Sequence, residues 1–119
     1  MARILVVDDD VDIRELLKIV LENLGFQVMI AANGEEGLII YKSSSDPITL
    51  IITDLNMPVM DGKEFIYQLA LLGCKTPIIL MTANTNMVRD AALEIGANDL
   101  IHKPFLPSEV ISTIADWIA

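Results

Sequence analysis

Hydrophobic positions along this chain of 119 residues switch repeatedly between two periods. Short, nearly continuous apolar runs fall at 3–7, 27–31, 49–53, 77–81 and 99–102, and each reads as a strand. Between and after them, apolar residues recur at helical spacing. The first helical stretch, 11–24, carries Ile13, Leu16, Leu17, Val20 and Leu24 on its predicted inner face and stops at Gly25, a residue suited to a left-handed cap. The second begins near Asn33-Gly34 and ends around Ser43-Ser44-Ser45. The third follows Asp61-Gly62 and carries Phe65, Ile66, Leu69 and Leu72 before Gly73. The fourth, 87–95, is the least apolar and ends at Gly96; the fifth opens at Pro107-Ser108 and holds Val110, Ile111, Ile114 and Ile118.

Strands that alternate with helices through short connections imply a parallel sheet of right-handed crossovers, with helices on both faces. No internal repeat, low-complexity segment or linker interrupts the alternation, so residues 1–119 read as one α/β domain. The apolar fraction of 53% and a mean hydropathy of +0.52 fit strands that are buried on both faces. No apolar run approaches the ~20 residues of a membrane helix, and Ile4 to Val7 is cut short by three aspartates, so neither a span nor a signal peptide is expected. The chain reads as cytoplasmic. Cys74 is its one cysteine, which excludes an intramolecular disulfide and suits a reducing compartment. The net charge of −9, without any Lys/Arg cluster, argues against direct nucleic-acid binding.

Polar residues of compatible chemistry stand at the carboxyl ends of four strands: Asp8-Asp9-Asp10 after the first, Asp54 after the third, Thr82 after the fourth and Lys103 after the fifth. In open α/β sheets ligands bind at that edge, where strand order reverses. If the order is 2-1-3-4-5, the first and third strands are neighbours about 4.8 Å apart, and Asp8, Asp9 and Asp54 share one pocket. Carboxylates so close repel by several kcal/mol at an effective dielectric of ~20, so they require a cation or a shared proton. An all-oxygen site of this kind suits Mg²⁺, which also bridges to phosphate oxygens. Lys103 would add a fixed positive charge, and the Thr82 hydroxyl a donor for an added oxyanion. These parts suffice for phosphoryl transfer to a carboxylate, with Asp54 as the nucleophile. A single Asp or Thr at a strand end is more often a turn former or cap, and Asp10 and Asp12 are read that way. His102 is read as an ordinary strand-edge histidine and Cys74 as a structural thiol.

The stretches Ile4-Leu5-Val6-Val7-Asp8-Asp9, Thr53-Asp54-Leu55-Asn56-Met57-Pro58, Met60-Asp61-Gly62, Met81-Thr82-Ala83, Gly96-Ala97-Asn98-Asp99 and Lys103-Pro104-Phe105 resemble the receiver domains of two-component response regulators, chemotaxis-regulator-like. The resemblance runs through the whole chain in order. It implies a flavodoxin-like (βα)5 three-layer sandwich, sheet order 2-1-3-4-5, that accepts a phosphoryl group on Asp54 from a sensor histidine kinase or histidine phosphotransfer protein. It also implies that Asp9, Asp54 and the backbone carbonyl of Asn56 ligate Mg²⁺, that Asp8 acts through a water, and that Lys103 and Thr82 bind the phosphoryl oxygens. Pro104 would follow a cis peptide bond, and Asn56 and Asn84 would flank the water that later hydrolyses the acyl phosphate. The output would be a downstream protein target or an effector domain absent from this chain.

One position departs from the family. Leu100, three residues before Lys103, stands where an aromatic ring usually couples to the switch threonine, so output is expected through the loop after the fourth strand and through helix 87–95. A phosphatase of the haloacid-dehalogenase kind is disfavoured, because neither Asp8 nor Asp10 begins its Asp-x-Asp-x-Thr/Val pattern. A pseudo-receiver without phosphoryl chemistry conflicts with the complete acid set, Thr82 and Lys103. Asp10, Ile13, Arg14 and Pro104 are the expected docking residues for the donor, and Trp117, expected on the last helix, too remote to report on the acids.

Overall fold

The computed structural model describes residues 2–118. Five strands, β1 (Arg3–Val7), β2 (Gln27–Ala31), β3 (Leu50–Asp54), β4 (Ile78–Thr82) and β5 (Asp99–His102), alternate with helices α1 (Val11–Asn23), α2 (Gly34–Ser43), α3 (Gly62–Leu71), α4 (Arg89–Ile95) and α5 (Pro107–Ala115). The sheet is parallel throughout, in the order β2-β1-β3-β4-β5, which is the flavodoxin-like arrangement anticipated from the chain.

Side chains alternate between the two faces of each strand, and here both faces are covered. Ile4, Val6, Leu50, Ile52, Ile79, Met81 and Ile101 pack under α1 and α5, against Leu17, Leu21, Val110 and Ile114. Leu5, Val7, Ile51, Ile78 and Leu80 face α2, α3 and α4, against Leu38, Phe65, Ile66, Leu69 and Ala92. The result is three layers with two separate cores.

The helix faces differ in detail from the expectation. In α1 the inner stripe is centred on Leu17 and Leu21, both fully buried, while Leu16 and Leu24 are exposed. Leu16 lies about 100° round the helix from Leu17, and Leu24 is already the C-cap. Leu72, the C-cap of α3, is exposed for the same reason. Helix α4 begins at Arg89 rather than Met87, behind Val88, which offers no capping side chain. Gly25, Gly73 and Gly96, the anticipated stops, all adopt positive φ. Trp117 lies in the turn after α5, not inside the helix.

Strands β3 and β4 each begin and end one residue later than anticipated. Leu55 N–H donates to Met81 O and Lys103 N–H to Thr82 O, so the ladders persist to their ends. Asp54 and Thr82 are therefore the terminal residues of the strands and inherit their rigidity.

At the start of α3 the chain passes so close to β3 that a side chain has no room. A Cβ on Gly62 would collide with the Asp54 carbonyl oxygen and with Leu55 Cα, both backbone. We expect Gly62→Ala to cost about 1–3 kcal/mol by overpacking and to displace Asp54 as well. Phe65→Ala, which empties a fully buried site, should cost about 3–5 kcal/mol. Urea denaturation measures both. Wild-type stability for Gly62→Ala would show that the α3 entry is not fixed by this contact.

Candidate functional site

Local sequence builds the acid pocket. Strand β1 delivers Asp8 to the carboxyl edge, where its amide still donates to Ala31 O of β2. Asp8 Oδ1 accepts from Asp10 N–H at 2.9 Å, and Asp10 Oδ1 accepts from Asp12 N–H at 2.9 Å as the N-cap of α1. The chain thus turns from strand into helix within three aspartates. β1 and β3 pair directly through Val7 and Thr53, which brings Asp54 beside Asp8.

Carboxylate oxygens of Asp8, Asp9 and Asp54 lie within 4.8 Å of one another. Asp8 is fully buried and Asp54 nearly so, whereas Asp9 is exposed. Lys103, delivered by β5, places its ammonium 2.8 Å from Asp8 Oδ2 and 3.3 Å from Asp54 Oδ2. Asp54 Oδ1 accepts from Leu55 N–H at 2.9 Å. Thr82 is buried, and its Oγ1 accepts from Asn84 N–H at 3.0 Å, leaving the hydroxyl proton free to point elsewhere. Asn56 lies exposed on the loop between β3 and α3. The Lys103–Pro104 peptide is cis.

One lysine against three acids leaves the pocket short of positive charge. Two carboxylates about 5 Å apart repel by about 3 kcal/mol at an effective dielectric of ~20. Burial, and then the Asp8 charge, push the Asp54 carboxyl above its ordinary value, while Lys103 and the Leu55 amide pull the other way without prevailing. Burial alone would lower Lys103; the Asp8 hydrogen bond and the charges of Asp8 and Asp54 outweigh it and hold the ammonium above the usual lysine value. The donors are hard oxygens, and among the described residues Asp9 has no hydrogen bond or ion pair, so the set fits a hard divalent cation such as Mg²⁺.

Several neighbours escaped the sequence reading. Arg14 Nη1 donates to the Asp8 carbonyl at 2.7 Å, so part of its donor capacity is spent inside the site instead of on an outer surface. His102 Nε2 is 2.7 Å from Met87 O, fastening β5 to the loop before α4. Asp99 faces Arg89 Nε at 3.4 Å and accepts from Trp117 Nε1 at 2.9 Å, so one carboxylate joins the start of α4 to the turn after α5. No sequence pattern marks these pairs, because each joins residues that only the tertiary fold brings together.

Residues 4–115 match the response regulator receiver domain family, and the chain belongs to that family. Its members are phosphorylation-dependent signalling switches of two-component systems. The probable transcriptional regulator ycf27 of Porphyra purpurea is 40% identical over 113 residues, 94% of this chain and 45% of the relative. The alkaline phosphatase synthesis transcriptional regulatory protein PhoP of Bacillus subtilis is 39% identical over 109 residues, 91% of this chain and 45% of the relative. The chain thus spans about half the length of the curated relatives it matches. Among solved structures, the chemotaxis response regulator CheY4 of Vibrio cholerae superposes with a TM-score of 0.90 at 32% identity, covering 99% of each chain. The response regulator TrrA of Thermotoga maritima, solved in complex with Mg²⁺ and BeF, gives 0.87 at 34% identity, covering 99% of this chain and 100% of that one.

The raised Asp54 carboxyl has a definite consequence for stability. Below the ordinary aspartate value of about 3.9, Asp54 is protonated in both folded and unfolded chains. Between that value and its higher folded value the folded state holds more protons, so stability falls as pH rises through the window. Asp54→Asn lacks this loss. Its stability relative to wild type, by urea denaturation in EDTA, should rise from pH below 4 to a plateau above the folded Asp54 value. A difference independent of pH would refute the electrostatic reading.

Proposed function

We propose that this chain accepts a phosphoryl group on Asp54, from the phosphohistidine of a sensor kinase or histidine phosphotransfer protein, in a Mg²⁺-dependent reaction. The observation that carries the reading is the position of Asp54: at a rigid strand end, 3.3 Å from the Lys103 ammonium, among the carboxylates of Asp8 and Asp9. Asp9, Asp54 and the backbone carbonyl of Asn56 would hold the metal, with Asp8 acting through a water. The bound cation supplies charge neutralisation for the transferring group.

The chain's own residues do the rest. An Asp54 carboxylate oxygen attacks phosphorus; the P–N bond to the donor imidazole breaks, the ring keeping the electron pair and regaining a proton from solvent. Lys103, already held by Asp8, neutralises one phosphoryl oxygen, and the Thr82 hydroxyl donates to another. Hydrolysis later breaks the bond between phosphorus and the Asp54 oxygen, with water as the attacking group between Asn56 and Asn84. The relatives' names, transcriptional regulators, favour an effector domain as recipient of the signal, with a separate protein target as the other recipient.

Signal leaves the site along the Thr82 side. Once the Thr82 hydroxyl donates to the phosphoryl group and turns toward it, its acceptance from Asn84 N–H weakens, and that loop is tied onward through Met87 O to His102 and through Arg89 to Asp99. Leu100 cannot form the hydrogen bond of an aromatic hydroxyl and packs in the core beside Thr82's face of the sheet, so it is a passive neighbour here.

Two measurements test this. Acetyl phosphate with Mg²⁺ should label wild type, while Asp54→Asn and EDTA-treated protein should remain unlabelled; equal labelling of Asp54→Asn sinks the assignment. Beryllofluoride with Mg²⁺ should shift the amides of residues 84–89 and change the fluorescence of Trp117, the chain's one tryptophan, which would report on the start of α4 through Asp99 and Arg89 instead of on the acids directly, with the Leu100 rotamer preserved. A rotated Leu100 beside an unmoved 84–89 loop would overturn the proposed route.

A further inference from the structure

We propose that Arg14 is a positioning residue for the cation site: it fixes the Asp8-Asp9 peptide that aims Asp9 into the pocket. The inference rests on the reading of Asp8, Asp9 and Asp54 as a divalent-cation site and extends it to a residue outside the acid set.

The argument starts from the Asp8 carbonyl. Asp8 is fully buried, and a buried carbonyl without a partner is costly. Its amide donates to Ala31 O, so this edge of the peptide faces β2, yet β2 ends at Ala31 and no backbone amide among the described residues donates to the Asp8 carbonyl. The ladder between β1 and β2 therefore ends with the Asp8 amide. Arg14 takes the place of the missing strand: its Nη1 donates to Asp8 O at 2.7 Å, while its own amide donates to Asp10 O in the first turn of α1. The loop 8–14 is thereby closed from both the side chain and the main chain of a single residue.

Asp9 lies inside that loop. Its carboxylate reaches within 4.8 Å of Asp8 and Asp54, yet no hydrogen bond or ion pair among the described residues holds it there. What directs it is the backbone on either side, anchored before it by the Arg14 bond and after it by Asp10. Donors that orient metal-holding residues in this manner typically change affinity by about 10- to 100-fold when removed.

This assigns Arg14 a different task from donor docking, and the two are separable. Mg²⁺ titration followed by amide NMR should give a dissociation constant about 10-fold weaker for Arg14→Ala than for wild type. Arg14→Lys, which keeps the charge and one donor, should recover part of the loss. Urea denaturation in EDTA reports separately whether each variant is folded. Labelling of Arg14→Ala by acetyl phosphate at subsaturating Mg²⁺ should fall and be restored by raising Mg²⁺. Unchanged Mg²⁺ affinity in folded Arg14→Ala overturns the proposal, as does normal acetyl phosphate labelling with loss confined to transfer from a phosphohistidine protein. If wild type itself shows no Mg²⁺ shifts near Asp9 and Asp54, the cation site fails first, and Arg14 with it.

Discussion

The Lys103 ammonium lies between the Asp8 and Asp54 carboxylates, 2.8 and 3.3 Å away, and the arrangement of the whole carboxyl edge depends on that triplet. Without it, two buried acids would face each other with no counter-charge, at a cost several kcal/mol higher. With it, Asp8 is satisfied and Asp54 is still held above its ordinary ionisation range. The lysine is thus strong enough to keep the acids together and too weak to saturate them. A chain that only needed stability would replace one acid by a neutral group; keeping all three leaves a standing demand for a further cation.

The triplet is a product of topology. β5 carries Lys103 at one side of the sheet and β1 carries Asp8 three strands away, with β3 and β4 between. A long lysine side chain can cross that span because Asp8, Asp54 and Lys103 continue the same alternation phase, that of Ile4 and Val6, Leu50 and Ile52, and Ile101. Shifting any one strand by a residue would turn its charged terminus to the opposite face. Close entry of α3 at Gly62, against the Asp54 carbonyl, and the cap by Asp10 on α1 fix the register at both acid-bearing loops.

Periodicity made the strands, the parallel α/β class and the carboxyl-edge acids readable from the chain, because alternation of apolar runs and helical stretches implies crossovers and strand ends carry ligands, while the sheet order came from the family resemblance. Leu17 and Leu21 as the true inner face of α1 were harder to read, since Ile13, Leu16, Leu17, Val20 and Leu24 form an apolar set broad enough to permit several rotations of the helix. Strand ends were misjudged by one residue at β3 and β4, where the decisive hydrogen bonds come from loop residues Leu55 and Lys103. Contacts such as Arg14 with the Asp8 carbonyl or Trp117 with Asp99 leave no local signature at all. Each satisfies a polar group whose need arises only after the fold has formed.

The same alternation divides the polar strand ends between the two faces of the sheet. Thr82 follows the opposite phase from Asp54, that of Ile78 and Leu80, and Leu100 packs on that side as well. The acids and Lys103 belong to the α1 and α5 side, whereas Thr82 terminates the side covered by α3 and α4. α4 is the weakest covering element: seven residues, no side-chain cap, and only Ala92 buried. Elements with few buried contacts open at the lowest free-energy cost, so in the proposed route a modest change in the hydrogen bonding of Thr82 would bias α4 and leave α3 unmoved. The tight α3 entry keeps Asp54 in register, while the loop before α4 is held by a few polar contacts, His102 with Met87 O and Arg89 with Asp99.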